Sequence, residues 1–405
     1  MENKKKILVV SFQSLTEESG AGMARLGYYL SDVLYKRGLL KDFVVFSKGK
    51  HTTSFPSSPV SRWSRYMLFA LNKMQNKLHF TSQHNFRFIQ EKLFDFFCAH
   101  KINSSISTLL VTQPFLPRTF KKAKSLGVKI IFIPANPEEN YIYKLLAEEK
   151  QKRHVDGVDA YTFDDRINFF NKAIKYVDTV LCIHPTVYTS YQNATSVKAE
   201  IVKMIGHVKP DLHAAIIENN PSEKIFRVGY IAHTVLLKGL QYLLEAWNDI
   251  MNTNKEAGNM QLCIAGGIDA TMQGIINRDF SSVKNVEYAG HINSVDGFLT
   301  DKHLFVVPSL VDAGPYTALE AAYHSIPIII TENCGSAELL SRGESGCKVI
   351  PIKDANAIKE NILWAFNNRE AARKMGASAK HNLETYDMNE LIVNIADYLQ
   401  KKQEA

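Results

Sequence analysis

The hydrophobic positions fall into short runs separated by longer stretches whose apolar residues recur at helical spacing. Near the start, the run Ile7 to Phe12 precedes the small residues Ser19-Gly20-Ala21-Gly22, and an amphipathic stretch from Met23 to Lys36 then ends at Gly38. This predicts a strand, a glycine-bearing loop and a helix. Further runs at Phe43 to Phe46, Ile106 to Val111, Lys129 to Ile133 and Thr179 to Ile183 are spaced by helix-length segments, the alternation of a parallel sheet with crossover helices. After the polar passage Glu218-Asn219-Asn220-Pro221-Ser222 the alternation restarts. Strands are predicted at Phe226 to Ile231, Gln261 to Ala265, Val286 to Ala289, Leu304 to Val307 and Pro327 to Ile330, and helices at Gly239 to Met251 and Tyr316 to His324. The tail from Ala355 to Gln403 keeps a helical period with a break near Thr385-Tyr386-Asp387, which permits a last helix to leave the second domain and return to the first.

A chain of 405 residues exceeds one comfortable core and suits two. The expected division is 1–205, 206–385, and a returning helix at 386–405. Hydrophobic residues at 45%, charged at 22% and aromatic at 10% describe an ordinary globular protein. Ile7 to Val10 is far shorter than a signal-peptide core or a membrane span and reads as a buried strand. Cys98, Cys182, Cys263, Cys334 and Cys347 are scattered, without a C-x-x-C pair. They indicate neither a disulfide framework nor a zinc site, and they fit a reducing, cytoplasmic setting.

The net charge of +7 is unevenly placed, with fourteen Lys or Arg between Lys48 and Lys129 against only Glu91 and Asp95. Trp63, Tyr66, Phe69, Phe80, Phe86 and Phe88 lie in the same stretch. That mixture suits peripheral contact with an anionic membrane through residues 48–130 better than nucleic-acid readout. Its plainer reading is the solvated outer face of core helices.

The segment Val306 to Ala322 offers the most chemistry. A strand ends, a loop carries Asp312, and Gly314-Pro315-Tyr316-Thr317 opens a helix bearing Glu320. Gly314 allows close backbone approach, Pro315 suits the first helical position, and the amides from Tyr316 onward face what lies in front, a place suited to a diphosphate. Asp312 and Glu320 can accept hydrogen bonds from ligand hydroxyls. The plainer readings are a capping box of Thr317 with Glu320 and a loop-capping Asp312.

The stretch from Asn285 to Asp354 resembles the retaining GT-B glycosyltransferases of family 4. These carry a strand-loop-helix reading P-S-x-x-E-x7-E, matched here by Pro308-Ser309, Asp312 and Glu320. Ser325 to Ile329, the donor-side loop Cys334-Gly335-Ser336-Ala337-Glu338, Gly343 to Val349, and Asp354 follow in the family's order. Upstream, Val228-Gly229 and Lys238 to Ala246 resemble its phosphate-binding segment, Gly290-His291-Ile292 its base-pairing turn, and Gly20-Ala21-Gly22 the first-domain loop facing the donor. Tyr176 to Ile183 resembles the last strand of its acceptor domain. The glycine loop lacks the third glycine of a dinucleotide fingerprint and the Lys-Ser/Thr of a Walker loop.

The resemblance implies an α/β GT-B architecture: two Rossmann-like domains facing each other across a cleft, the first binding acceptor and the second a nucleotide-diphosphate sugar, UDP- before GDP-linked. Transfer to a glycan or lipid-linked acceptor would proceed with retention, in polysaccharide or glycolipid assembly, on the cytoplasmic side of a membrane. Lys238, the amides near Tyr316 and His233 would stabilise the departing diphosphate. Asp312 would hold the sugar, Glu320 the ribose and Asn136 the acceptor, while Gly20, Gly22, His291, Ile292, Gly314, Pro315, Thr317 and Ser336 would line the donor site. No D-x-D triplet occurs, so neither metal nor cofactor is expected.

Three departures stand out. Asp312 replaces the usual Glu, shortening the side chain by about 1.5 Å. The usual arginine shortly before the lysine is absent, leaving His233 as the only cationic candidate between Gly229 and Lys238. Ile131 to Asn136 stands where many members place a histidine. These motivate an alternative, a catalytically silent subunit that binds nucleotide or glycan and partners an active transferase. A GT-B epimerase is a third reading, for which the required acid and base groups have no place in the sequence.

Overall fold

The structure, a computed structural model, describes residues 6–15, 23–207, 221, 224–343, 346–387 and 389–404. It divides into two compact units, one of Met1–Ala147, Gly157–Val208 and Met388–Ala405, the other of Glu148–Asp156 and Lys209–Asp387.

The first unit is a parallel sheet of β1 (Lys6–Ser11), β2 (Leu40–Val45), β3 (Ser57–Pro59), β4 (Ile106–Val111), β5 (Lys129–Phe132), β6 (Thr179–Cys182) and β7 (Glu200–Lys203), in spatial order β3-β2-β1-β4-β5-β6-β7. Its helices are α1 (Met23–Lys36), α2 (Ser64–Leu78), α3 (Gln83–Lys101), α4 (Pro117–Ser125), α5 (Glu139–Arg153), α6 (Asp164–Ile174) and α7 (Pro185–Gln192). Central strands are mostly apolar because helices cover both faces: Val9, Leu110, Ile131 and Leu181 are buried in one cluster with Leu26, Leu30 and Leu34 of α1. Each such side chain stabilises the unit by about 1.5–3 kcal/mol relative to exposure.

The second unit repeats the plan with β8 (Phe226–Ile231), β9 (Met260–Ala265), β10 (Val286–Gly290), β11 (Leu304–Val307), β12 (Ile328–Thr331) and β13 (Cys347–Ile350), in order β10-β9-β8-β11-β12-β13. Its helices are α8 (Leu240–Thr253), α9 (Ala270–Asp279), α10 (Val295–Leu299), α11 (Tyr316–Tyr323), α12 (Ser336–Leu340), α13 (Ala355–Asn367) and α14 (Arg369–Glu384). The last turns of α5 belong to this unit. There the fully buried Glu149 accepts from Arg153 Nε at 3.0 Å, Gln241 Nε2 at 3.2 Å and Tyr242 OH at 2.7 Å, which satisfies a carboxylate that burial would otherwise penalise.

After a break past Glu384, α15 (Glu390–Glu404) packs in the first unit, burying Leu391, Ile392, Ile395, Ala396 and Leu399 against the α1 side of its core. Both units are Rossmann-like parallel α/β domains, the fold class the alternation of strands and helices predicts.

Candidate functional site

In an open parallel sheet, ligands bind outside the carboxyl ends of strands, where the strand order reverses. In the second unit that reversal lies between β8 and β11, paired through Val228–Leu304 and Gly229–Phe305. The chain leaving β8 carries Lys238, and the chain leaving β11 carries Asp312, so two distant segments are delivered to one crevice by topology alone.

Lys238 ends a 3₁₀ turn, Leu236–Lys238, and Gly239 follows at φ +72° before α8 begins. A Cβ at Gly239 would stand 1.9 Å from the Pro308 carbonyl oxygen, so only glycine lets this turn lie on the loop leaving β11. The Leu310 amide donates to the Leu237 carbonyl at 2.9 Å, joining the two loops through backbone. Lys238 Nζ reaches Asp312 Oδ2 at 2.5 Å, with the two side chains 28% and 16% exposed.

Backbone bonds hold Asp312 from the other side. Its amide donates to the Asn333 carbonyl at 3.1 Å and its carbonyl accepts from the Gly335 amide at 2.9 Å, while Asn333 Nδ2 donates to the Leu310 carbonyl at 3.0 Å. The carboxylate position is thus set by the loop after β12. Burial pushes the Cys334 thiol up to about 12, with the Asp312 charge acting in the same direction, so it stays protonated at neutral pH. Tyr230 on β8 is raised by burial and also feels the Asp312 charge, and its hydroxyl accepts from Thr234 Oγ1 at 3.3 Å.

Helix α11 buries Ala318, Leu319, Ala321 and Ala322, leaving half-buried Tyr316, Thr317 and Glu320 on its opposite side. Pro315 occupies the N-cap, one position earlier than the sequence suggests, and offers no capping bond of its own. With the cap there, Thr317 sits inside the first turn and the capping-box reading of Thr317 with Glu320 falls away. Buried Ser336 donates to the Pro315 carbonyl at 3.4 Å, tying α12 to the start of α11.

The remaining predicted residues lie further out. His233 is exposed in the loop after β8, which runs beside the loop after β9 through a Thr234 amide bond to the Gly267 carbonyl at 2.7 Å. His291 and Ile292 follow β10, an edge strand two places from β8, with His291 exposed and Ile292 half-buried. Asn136 belongs to the first unit, half-buried in the loop after β5. Gly20 and Gly22 lie outside the described residues. Sequence reasoning missed Tyr230 and Asn333: the first reads as one more strand residue and the second as loop, and only the tertiary contacts give them a role beside Asp312.

Residues 212–382 match the family described as Glycosyl transferases group 1. A stretch of 170 residues is 23% identical to the capsular polysaccharide biosynthesis glycosyltransferase CapM of Staphylococcus aureus, covering 41% of this chain and 43% of that protein's length. Among solved structures, Anabaena Alr3699/HepE in complex with UDP and glucose superimposes with a TM-score of 0.60 at 11% identity, over 98% of this chain and 99% of that one. WaaG, a glycosyltransferase involved in lipopolysaccharide biosynthesis, does so with a TM-score of 0.61 at 14% identity, over 96% and 99%. At such identities the likeness is one of fold.

Proposed function

We propose that this chain is a glycosyltransferase of the group 1 type that moves a sugar from a nucleotide-diphosphate donor to a glycan or lipid-linked acceptor, with retention of anomeric configuration. The observation that carries this reading is the Lys238–Asp312 pair at the reversal point of the second sheet, beside the start of α11. A cation and helix amides suit the two phosphates of a donor, and a carboxylate suits sugar hydroxyls. The match of residues 212–382 supports the same assignment for the second unit. The complex of Alr3699/HepE with UDP and glucose supports UDP over GDP as the base carrier.

In the proposed reaction the donor diphosphate settles between Lys238 and the α11 amides, exchanging part of the Asp312 pair for phosphate oxygens. Asp312 then turns to the sugar and Glu320 to the ribose. Bond cleavage leaves negative charge on the diphosphate, which fixed donors stabilise without reorganising. The departing phosphate takes the proton of the acceptor hydroxyl, so no protein nucleophile takes part. We assign no metal or cofactor to the step, and acceptor recognition to the first unit, with Asn136 one of its groups.

The first unit also motivates work at a membrane surface on its cytoplasmic side. Trp63, Tyr66 and Phe69 are 69%, 67% and 68% exposed, in the segment where basic residues dominate. Among the described residues no helix is long and apolar enough to cross a membrane. All five cysteines are buried thiols, as suits a reducing compartment.

Calorimetric titration of the purified chain with UDP and GDP tests the donor half of the proposal. Micromolar binding of one nucleotide, followed by turnover of its sugar conjugates, is the expected result. Failure of both to bind would remove donor chemistry and leave a retained fold.

A further inference from the structure

About half of helix α2 is apolar, yet the fold buries little of it. Of its fifteen residues only Ser64 and Gln75 are buried. At helical spacing seven of the others form two adjacent stripes. Met67, Leu71 and Met74 face a cavity of about 690 Å³, closed on its far side by Ile89 and Leu93 of α3. Tyr66, Phe69, Lys73 and Lys77 run beside that stripe, all four exposed.

Three charged groups border the cavity, namely Lys92, Asp95 and Arg118. The Asp95 carboxylate is committed elsewhere: it accepts from the Arg118 amide at 3.0 Å, the Thr119 amide at 2.9 Å and the Thr119 hydroxyl at 2.8 Å, capping α4. Lys92 and Arg118 are exposed and form no ion pair among the described residues, resting instead over the rings of Phe88 and Phe96. The result is an apolar hollow with two available cations at its mouth and an aromatic, basic stripe beside it. Its volume lies within the range of about 300–1,000 Å³ common to small-molecule sites. An apolar lining disfavours a sugar or nucleotide, and the cations call for an anionic head.

We propose that this cavity takes one acyl chain of an anionic membrane phospholipid, with the phosphate against Lys92 and Arg118 and α2 lying in the headgroup layer. Aromatic side chains suit that layer, and Lys73 and Lys77 add attraction to its negative surface. The site deepens the membrane reading given above and rests on it for its biological use, but its geometry is independent of the donor chemistry.

The test uses the full chain and monomeric short-chain lipids. Dihexanoyl phosphatidylglycerol is expected to bind saturably, and about tenfold more tightly than either dihexanoyl phosphatidylcholine, whose choline cation cancels the phosphate charge and repels Lys92 and Arg118, or glycerophosphoglycerol, which lacks the tails. Leu71→Trp, which fills the hollow, and the double reversal Lys92→Glu with Arg118→Glu are each expected to weaken that binding about tenfold, with UDP binding unchanged. The reversal touches exposed side chains, so it decides the matter even where Leu71→Trp fails to fold. Binding no tighter than that of the free headgroup, or indifferent to the reversal, overturns the tail site. Lipid binding without UDP binding would sink the transferase reading and leave this site standing, and the opposite result would sink the site alone.

Discussion

Lys238 Nζ lies 2.5 Å from Asp312 Oδ2, although 74 positions separate the two residues in the chain. The pair fixes what an incoming diphosphate meets, a cation already partnered by a carboxylate. Charge-assisted bonds to phosphate contribute about 1.5–3 kcal/mol each.

Lys238→Ala is therefore expected to weaken UDP binding about 10- to 100-fold. Asp312→Asn removes a negative charge beside the phosphates and frees Lys238, so UDP should bind as tightly as before or more tightly, while sugar transfer falls about 100-fold. Titration calorimetry and a donor-turnover assay on both variants check this. Equal loss of UDP affinity in the two variants would reduce the pair to a structural strut.

Gly239 makes that pair possible. At φ +72° an alanine there carries left-handed strain, and its Cβ would also collide with the Pro308 carbonyl at 1.9 Å. Gly38 provides the control, with φ +71° and open space around its missing Cβ. Gly38→Ala should cost only the strain, about 1–2 kcal/mol. Gly239→Ala adds overpacking, for about 2–5 kcal/mol in all, and should displace Lys238 from Asp312. Urea unfolding of the two variants separates the contributions, and equal costs would show that the loop after β11 yields freely.

How far the sequence carries can be read from particular strands. Ile106–Val111 and Phe226–Ile231 appear with the predicted bounds, because strands covered on both faces are apolar at most positions. The edge strand Glu200–Lys203, exposed or half-buried throughout, and the three-residue Ser57–Pro59 leave no such trace and went unpredicted. Lys238 and Asp312 were legible as chemistry, the first next to Gly239 and the second two residues before Gly314, each near a predicted helix start. Their contact was not, because it depends on the strand order β8-β11 and on the Asn333 and Gly335 bonds that fix the Asp312 backbone. The N-cap at Pro315 likewise followed from that loop's path rather than from local propensity.

Donor turnover is expected to persist in excess EDTA. The charges proposed to meet the diphosphate are Lys238 and the first amides of α11, and the sequence holds no D-x-D triplet to bridge a divalent ion to phosphate. Complete loss of turnover in chelator, restored by added magnesium or manganese, would require a metal in the step and a new assignment for Asp312.

The first unit should lose stability on mild acidification through His184. Its ring is buried after β6, 5.2 Å from that of His207, and its Nδ1 has no hydrogen-bond partner among the described residues. Burial holds His184 well below its ordinary value, and the charge of His207 pushes the same way. Below pH about 6.5 the unfolded chain takes up a proton that the folded chain refuses. Stability present above that pH is therefore lost as pH falls toward the folded value, with a slope of at most about 1.4 kcal/mol per pH unit. Asp95 and Glu139, raised by burial, act in the opposite sense, since the folded protein protonates them first. Comparing wild type with His184→Gln cancels those carboxylates, because both proteins carry them. Chemical unfolding between pH 7.5 and 5 should show a flatter decline in the variant; parallel declines would mean that His184 takes up its proton without unfolding.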